Sequence, residues 1–185
     1  MIYRKTVTLK NGRVCTLRNA AAEDGQAVLD IFLLTHAQTE FLTTYPEEST
    51  YTVAQEAAYM QKKADSPNEI EILAELDGLI VGSAGISCVR DAVKTRHRAE
   101  FGVSVDRTHW GLGIGTALTE ACVECAKAAG YAQVELEAVA SNERALALYR
   151  GAGFVEYGRN PRGFRSKAGD WQELVLMRME LDAAK

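Results

Sequence analysis

From Val103 to Leu118 the chain reads V-S-V-D-R-T-H-W-G-L-G-I-G-T-A-L, with Gly111, Gly113 and Gly115 at every second position. Where side chains are missing, consecutive backbone N–H groups can approach a ligand closely, and a row of such donors suits an anion. If a helix opens at the same point, its first N–H groups lack internal acceptors and carry the positive end of its dipole, which favours a phosphate or pyrophosphate. The spacing is neither that of a P-loop, which ends in Gly-Lys-Ser/Thr, nor the dinucleotide fingerprint Gly-x-Gly-x-x-Gly. Glycine-rich turns also arise for packing reasons alone, so a second group of residues is needed. Asn142, Ala145 and Tyr149 stand three and four apart. A helix would stack them on one face, the alanine leaving room between two polar groups for a ligand channel. Taken singly, Asn142 also reads as a helix cap and Tyr149 as a half-buried aromatic.

Periodicity supplies the elements that must hold these residues. A helix over 113–129 follows the glycines, and Ile114, Leu118, Ala121, Cys122, Cys125 and Ala129 form an apolar stripe that would press it on a sheet. Val103 to Val105 end a strand predicted over Arg98–Val105, a strand follows over 132–139, and Asn142 opens a helix over 142–151. Upstream, Asn11-Gly12 between two β-branched stretches, Tyr3–Leu9 and Val14–Arg18, predicts a tight hairpin. Ala27, Val28, Ile31, Phe32 and Leu34 recur at helical spacing within Ala21–His36. Phe41–Tyr51, with Pro46 and several threonines, reads as a loop that borders a substrate site and leads into a helix over Thr52–Ala64. Asp77-Gly78 joins strands over Glu69–Leu76 and Leu79–Val89, and strands near 154–160 and 171–181 complete an α/β pattern.

The composition narrows the function classes. A chain of 185 residues fits one domain, here 1–185, that buries roughly two-thirds of the surface its unfolded form exposes. The formal charge of -4 gives no broad basic field, so nucleic acid is not an expected partner. Met1 to Thr6 has no long apolar stretch behind its charges, and the most apolar run, Leu79–Val89, is broken by Gly82 and Gly85. Neither export nor a membrane partner is expected, and the cytoplasm is the expected compartment. Cys122 and Cys125 form a C-x-x-C without a second pair, which reads as small core residues of a reduced protein before a redox or metal pair. His36, His97 and His109 are scattered, read as surface or packing residues, and suggest no metal site.

Together, the glycine turn and Ser141-Asn142-Glu143-Arg144-Ala145-Leu146-Ala147-Leu148-Tyr149 closely resemble the GCN5-related N-acetyltransferase (GNAT) family. The likeness is strong over about Glu100 to Phe154 and extends to Leu17–Asp24, similar to the family's first strand and helix, and to Leu76–Gly82, similar to its second hairpin. The family signature Gln/Arg-x-x-Gly-x-Gly/Ala matches Gly113 and Gly115 but sets Trp110 where glutamine or arginine is usual. The resemblance implies an α+β fold: a mixed, mostly antiparallel twisted sheet of about seven strands flanked by about four helices. It also implies acetyl-coenzyme A as co-substrate. By position, the strand backbone of Val103, Ser104 and Val105 lines the pantetheine arm. Trp110 and the turn Gly111, Leu112, Gly113, Ile114, Gly115 and Thr116 take the pyrophosphate. Asn142, with Ala145 beside it, matches a cofactor-contacting asparagine, and Tyr149 matches the tyrosine placed near the sulfur.

The implied reaction is attack by a neutral amine on the thioester within a ternary complex, with the oxyanion held by a backbone N–H of the splayed strand, at Val103. Tyrosine titrates near about 10 and a thiol near about 8.5, so Tyr149 can protonate the departing sulfur. Glu100 is the first choice of general base, directly or through water, with a surface carboxylate near Arg96 and Arg98 as the equal alternative. Glu135 and Glu137 are further candidates. The implied acceptors are a small amine, an amino acid, a polyamine or a protein amino terminus, and similar proteins include homodimers. Two other classes stay in view: a non-catalytic acyl-coenzyme A sensor, and a dehydrogenase that would bind NAD instead.

Overall fold

The computed structural model describes residues 1–181. β1 (Arg4–Thr8) and β2 (Val14–Asn19) form the hairpin that Asn11-Gly12 predicts. α1 (Gly25–Ala37) starts four residues later than Ala21, after a short 3-10 turn over Ala22–Asp24. The cause is local: the Asp24 carboxylate accepts the Ala21 N–H and two hydrogen bonds from Arg18 of β2. α2 (Val53–Asp65) is capped reciprocally, Thr52 Oγ1 accepting the Gln55 N–H and Gln55 Oε1 accepting the Thr52 N–H. Then follow β3 (Ile70–Leu76), β4 (Leu79–Cys88), β5 (Arg98–Val105), α3 (Ile114–Ala128), β6 (Gln133–Val139), α4 (Glu143–Ala152), β7 (Val155–Arg165) and β8 (Trp171–Glu180). β7 outruns its expected end at 160 because the ladder with β8 shifts register between Asn160 and Phe164, around Pro161, and then resumes.

Among the described residues the strands form one eight-stranded sheet in the order β1-β2-β3-β4-β5-β6-β8-β7, antiparallel except between β5 and β6. This is the mixed, mostly antiparallel architecture expected, with one strand beyond the approximate count. Strand alternation gives each face its own layer. Ile70, Ile72 and Ala74 of β3, Ala84 and Ile86 of β4 and Ala99 and Phe101 of β5 face α3 in the main core. Leu73 points the other way, into a smaller cluster with Val28 of α1 and Met60 of α2. The α3 stripe is buried at Ile114, Leu118, Ala121, Cys122 and Cys125, each large apolar member contributing about 1.5–3 kcal/mol relative to exposure. Ala129, just past the end of α3, is only half buried. Cys122 and Cys125 lie in this core as free thiols, which burial pushes well up, Cys125 to about 11.

β5 and β6 are joined over only three register pairs, from Arg98–Gln133 to Glu100–Glu135. Beyond Glu100 the two strands part. The Asp106 N–H to Val81 and the Val89 N–H to Arg98 show which β5 residues bond to β4: alternate ones, counting back from 106. The backbone N–H and C=O of Phe101, Val103 and Val105 therefore face the opening. Beyond Glu135, the same logic on the β8 side of β6, from the Ala140 N–H to Glu173, leaves Glu137 and Val139 facing it from across.

Candidate active site

The opened seam leads into a cleft of about 680 Å3. Its floor is the turn between β5 and α3. Asp106 anchors that turn: its carboxylate accepts the Thr108 N–H at 3.1 Å and the Thr108 hydroxyl at 2.6 Å, and lies 2.9 Å from His109 Nδ1. Gln38, at the end of α1, donates to the same carboxylate at 2.8 Å and accepts the Arg107 N–H at 2.8 Å. Burial opposes ionisation of Asp106, yet these hydrogen bonds hold its pKa down at about 2. Gly111 and Gly113 adopt φ of 82° and 95°, the left-handed region in which a side chain is strained. Gly115 is small for another reason: a Cβ there would lie 3.0 Å from Leu148 of α4, so the glycine lets α4 close on α3. Among the described residues, no backbone N–H from Gly111 to Thr116 finds an intramolecular acceptor. Six consecutive donors at a helix N-terminus are what a pyrophosphate needs.

Trp110 donates its indole N–H to Val105 O at 2.7 Å, and the Arg144 guanidinium lies 4.8 Å from its ring. Positive charge thus reaches the turn through stacking. Lys10, from the β1–β2 connection, also lines the cleft, its N–H bonded to Leu112 O at 3.0 Å. Sequence reasoning passed over both Lys10 and Arg144. Lys10 carries no local signal, whereas Arg144 sits within the motif and a search for basic residues around it would have found it. Leu112 differs from its neighbours: it is outside the cleft lining and its side chain packs on the main core.

Val103, Ser104, Val105, Asn142, Ala145 and Tyr149 all line the same cleft. Asn142 also caps α4, its Oδ1 accepting the Ala145 N–H at 3.2 Å. Tyr149 is 8% exposed and fixed edge-on against Phe101 and Phe154, with ring centroids 6.1 and 6.0 Å away. Its hydroxyl makes no hydrogen bond within the described chain, and burial pushes its pKa up to about 12. It is a phenol held neutral with its proton unspent.

The other side of the cleft belongs to α1 and the loop that follows. Phe41, Leu42 and Thr43 line it, and Tyr45 ties the loop to the β7–β8 turn by accepting the Lys167 N–H at 3.0 Å. Glu100 projects from the sheet face opposite Phe101, exposed and lining the cleft. Of its two rivals, Glu135 is gripped by two hydrogen bonds from Arg98, while Glu137 lines the cleft without a partner among the described residues. The sequence makes all three histidines surface or packing residues. His36 and His109 both line the cleft. His36 stacks on Phe32 at 3.7 Å with Nδ1 2.8 Å from Phe32 O, and burial lowers its pKa, so it is a neutral imidazole with Nε2 as the acceptor nitrogen. Among the described residues, no three His, Cys, Asp or Glu side chains form a metal-binding group, and no helix is long and apolar enough to cross a membrane.

The chain is similar to L-methionine sulfoximine/L-methionine sulfone acetyltransferase of Pseudomonas aeruginosa, 25% identical over 170 residues that cover 92% of this chain and 96% of that one. It is 27% identical over 162 residues to L-amino acid N-acetyltransferase AaaT of Escherichia coli, covering 87% and 94%. Among solved structures, a GNAT-family acetyltransferase from Streptococcus pneumoniae superposes with a TM-score of 0.87 at 26% identity, covering 90% of this chain and 99% of that one. The family model described as Acetyltransferase (GNAT) matches residues 32–154, which include the turn, the opened seam and Tyr149. With that match spanning most of the sequence, the chain belongs to the acetyltransferase (GNAT) family.

Proposed function

We propose that 1–185 is one acetyltransferase domain that moves the acetyl group of acetyl-coenzyme A onto a primary amine of a small molecule, by direct attack within a ternary complex. The observation that carries this is the row of six unpartnered amides, Gly111 to Thr116, opening on the same cleft as the Val103 backbone and the Tyr149 hydroxyl. The residues fit the co-substrate: the turn takes the pyrophosphate, the edges of β5 and β6 take the extended arm, and Tyr149 stands at the reacting end. When bound, acetyl-coenzyme A supplies an activated acyl carbon. The chain supplies the rest. The Val103 N–H points into the seam, where it meets the carbonyl oxygen as that atom gains charge. Glu100 accepts the amine proton as the C–N bond forms, and Tyr149 donates a proton to the sulfur as the C–S bond breaks. The products are an amide and a free thiol.

A small acceptor agrees with the relatives from Pseudomonas aeruginosa and Escherichia coli, whose names specify amino acids or their derivatives. Four free cysteines suit a reducing cytoplasm. The test is thiol release from acetyl-coenzyme A by the purified chain across a panel of small amines. Turnover with at least one is expected; tight binding without turnover on any would instead make the protein a non-catalytic acyl-coenzyme A binder.

A further inference from the structure

Beside the main cleft lies a second cavity of about 390 Å3, enclosed by α1, α2 and the segment Thr44–Tyr51. It shares Phe32, Glu71, Ser83 and Ser104 with the cleft, so the two meet on the acceptor side of the sheet. Its walls are aromatic, with Phe32, Tyr51 and Tyr59, and its acidic groups are Glu48, Glu56 and Glu71. Among the described residues, no Lys, Arg or His lines it.

Glu56 is the unusual member. It is 8% exposed, yet its carboxylate has no hydrogen-bond or ion-pair partner among the described residues. A buried carboxylate is costly unless paired, and burial, followed by the charge of Glu71, raises its pKa accordingly. Lys63, also of α2, is 3.0 Å from Glu71 Oε2 and 5.5 Å from the Tyr59 ring centroid, and a Cβ at Gly85 would collide with that pair. The sheet thus seats Glu71 and Lys63 against each other and leaves Glu56 facing the cavity.

We propose that the second cavity receives a cationic nitrogen of the acceptor on the Glu56 carboxylate, making the acceptor an α,ω-diamine: its far ammonium pairs with Glu56 while its near nitrogen, neutral, enters the main cleft. An aliphatic ammonium titrates near about 10.4 and so keeps its charge at neutral pH. The aromatic walls accommodate the methylene chain and add cation–π attraction. A carboxylate in the same place would meet three acids and no free base. This identity of the ligand rests on the acetyl-transfer reading; occupation of the cavity does not, because binding can be read without turnover.

The experiment compares 1,4-diaminobutane, 1-aminobutane and 4-aminobutanoate, which differ only at the far end, using the full chain and Glu56→Gln. For the parent chain, kcat/KM for the diamine exceeds both others by at least about tenfold, and Glu56→Gln cuts the diamine-to-monoamine ratio by at least about tenfold. In thermal melts with acetyl-coenzyme A present, the diamine raises the Tm of the parent but not of Glu56→Gln. Without any amine, Glu56→Gln melts no lower than the parent, since it removes an unpaired buried charge; a merely structural carboxylate would give a lower Tm. Equal use of the three amines, or diamine stabilisation that survives Glu56→Gln, overturns the proposal while leaving acetyl transfer intact. Diamine stabilisation that depends on Glu56, without thiol release on any amine, keeps the subsite and sinks the transfer reading.

Discussion

In the proposed reaction, Tyr149 concentrates the chemistry at the scale of single residues. Its ring is locked between Phe101 and Phe154 while its hydroxyl has no partner among the described residues, so the group is rigid and its proton is available. Tyr149→Phe is expected to lower kcat by at least about tenfold and leave the acetyl-coenzyme A dissociation constant within about twofold, measured by thiol release and calorimetry. The pH dependence follows from the same burial. With its pKa raised from 10.0 to about 12, the phenol stays protonated, so kcat climbs as the amine loses its proton and has no falling limb below about pH 10. The stability this neutral phenol contributes is whole below pH 10.0 and fades as pH climbs towards 12. A descending limb centred near pH 9 would assign the acid to another group. Asn142 and Tyr149 were legible in the sequence because helical spacing relates them within eight residues. Lys10 and Glu56 were not: each reaches its cavity through tertiary packing that brings distant segments together, and no local pattern marks either.

The elements explain why the turn keeps its shape. Asp106 ties the end of β5 to the first turn of the glycine segment and, through Gln38, to the end of α1. Its pKa is lowered from 3.8 to about 2, so the stability it contributes is present above pH 3.8 and disappears as pH falls towards 2. Urea melts of Asp106→Asn should therefore show a deficit that is constant above about pH 4 and shrinks below it. A pH-independent deficit would mean that packing, and not charge, is what the substitution removes. Gly113→Asp places a side chain at φ 95° and a negative charge among the free amides, so acetyl-coenzyme A affinity falls by at least about tenfold while the fold persists. Unaltered affinity in calorimetry would place the pyrophosphate elsewhere. Most element boundaries could be read from periodicity and turn chemistry, as at Thr52, where a capping box fixes the start of α2. The late start of α1 and the long β7 could not, since the first depends on Arg18 of β2 reaching Asp24 in the turn that follows and the second on a ladder that recovers after Pro161.

The molecule as a whole is organised around the parting of β5 from β6, which periodicity does not announce: both strands look like ordinary buried strands, the splay at Val103 entered only through the family resemblance, and their pairing shows where they separate. On addition of acetyl-coenzyme A, amide hydrogen exchange is expected to slow at Val103, at Val105 and across Gly111–Thr116, with the β1–β3 region unchanged. Uniform slowing over the entire chain would point to global stabilisation instead of occupancy of the opening. Among the described residues, the three rungs between Arg98–Gln133 and Glu100–Glu135, with the Ala132 and Gln133 N–H bonds to His97 O beside them, thus stitch the first five strands to the last three within the sheet. A guest lying between them becomes a beam of the building as much as a reagent. Loaded and empty molecules then differ in stiffness, and the lifetime of the protein against proteolysis would rise and fall with the supply of its own acyl donor.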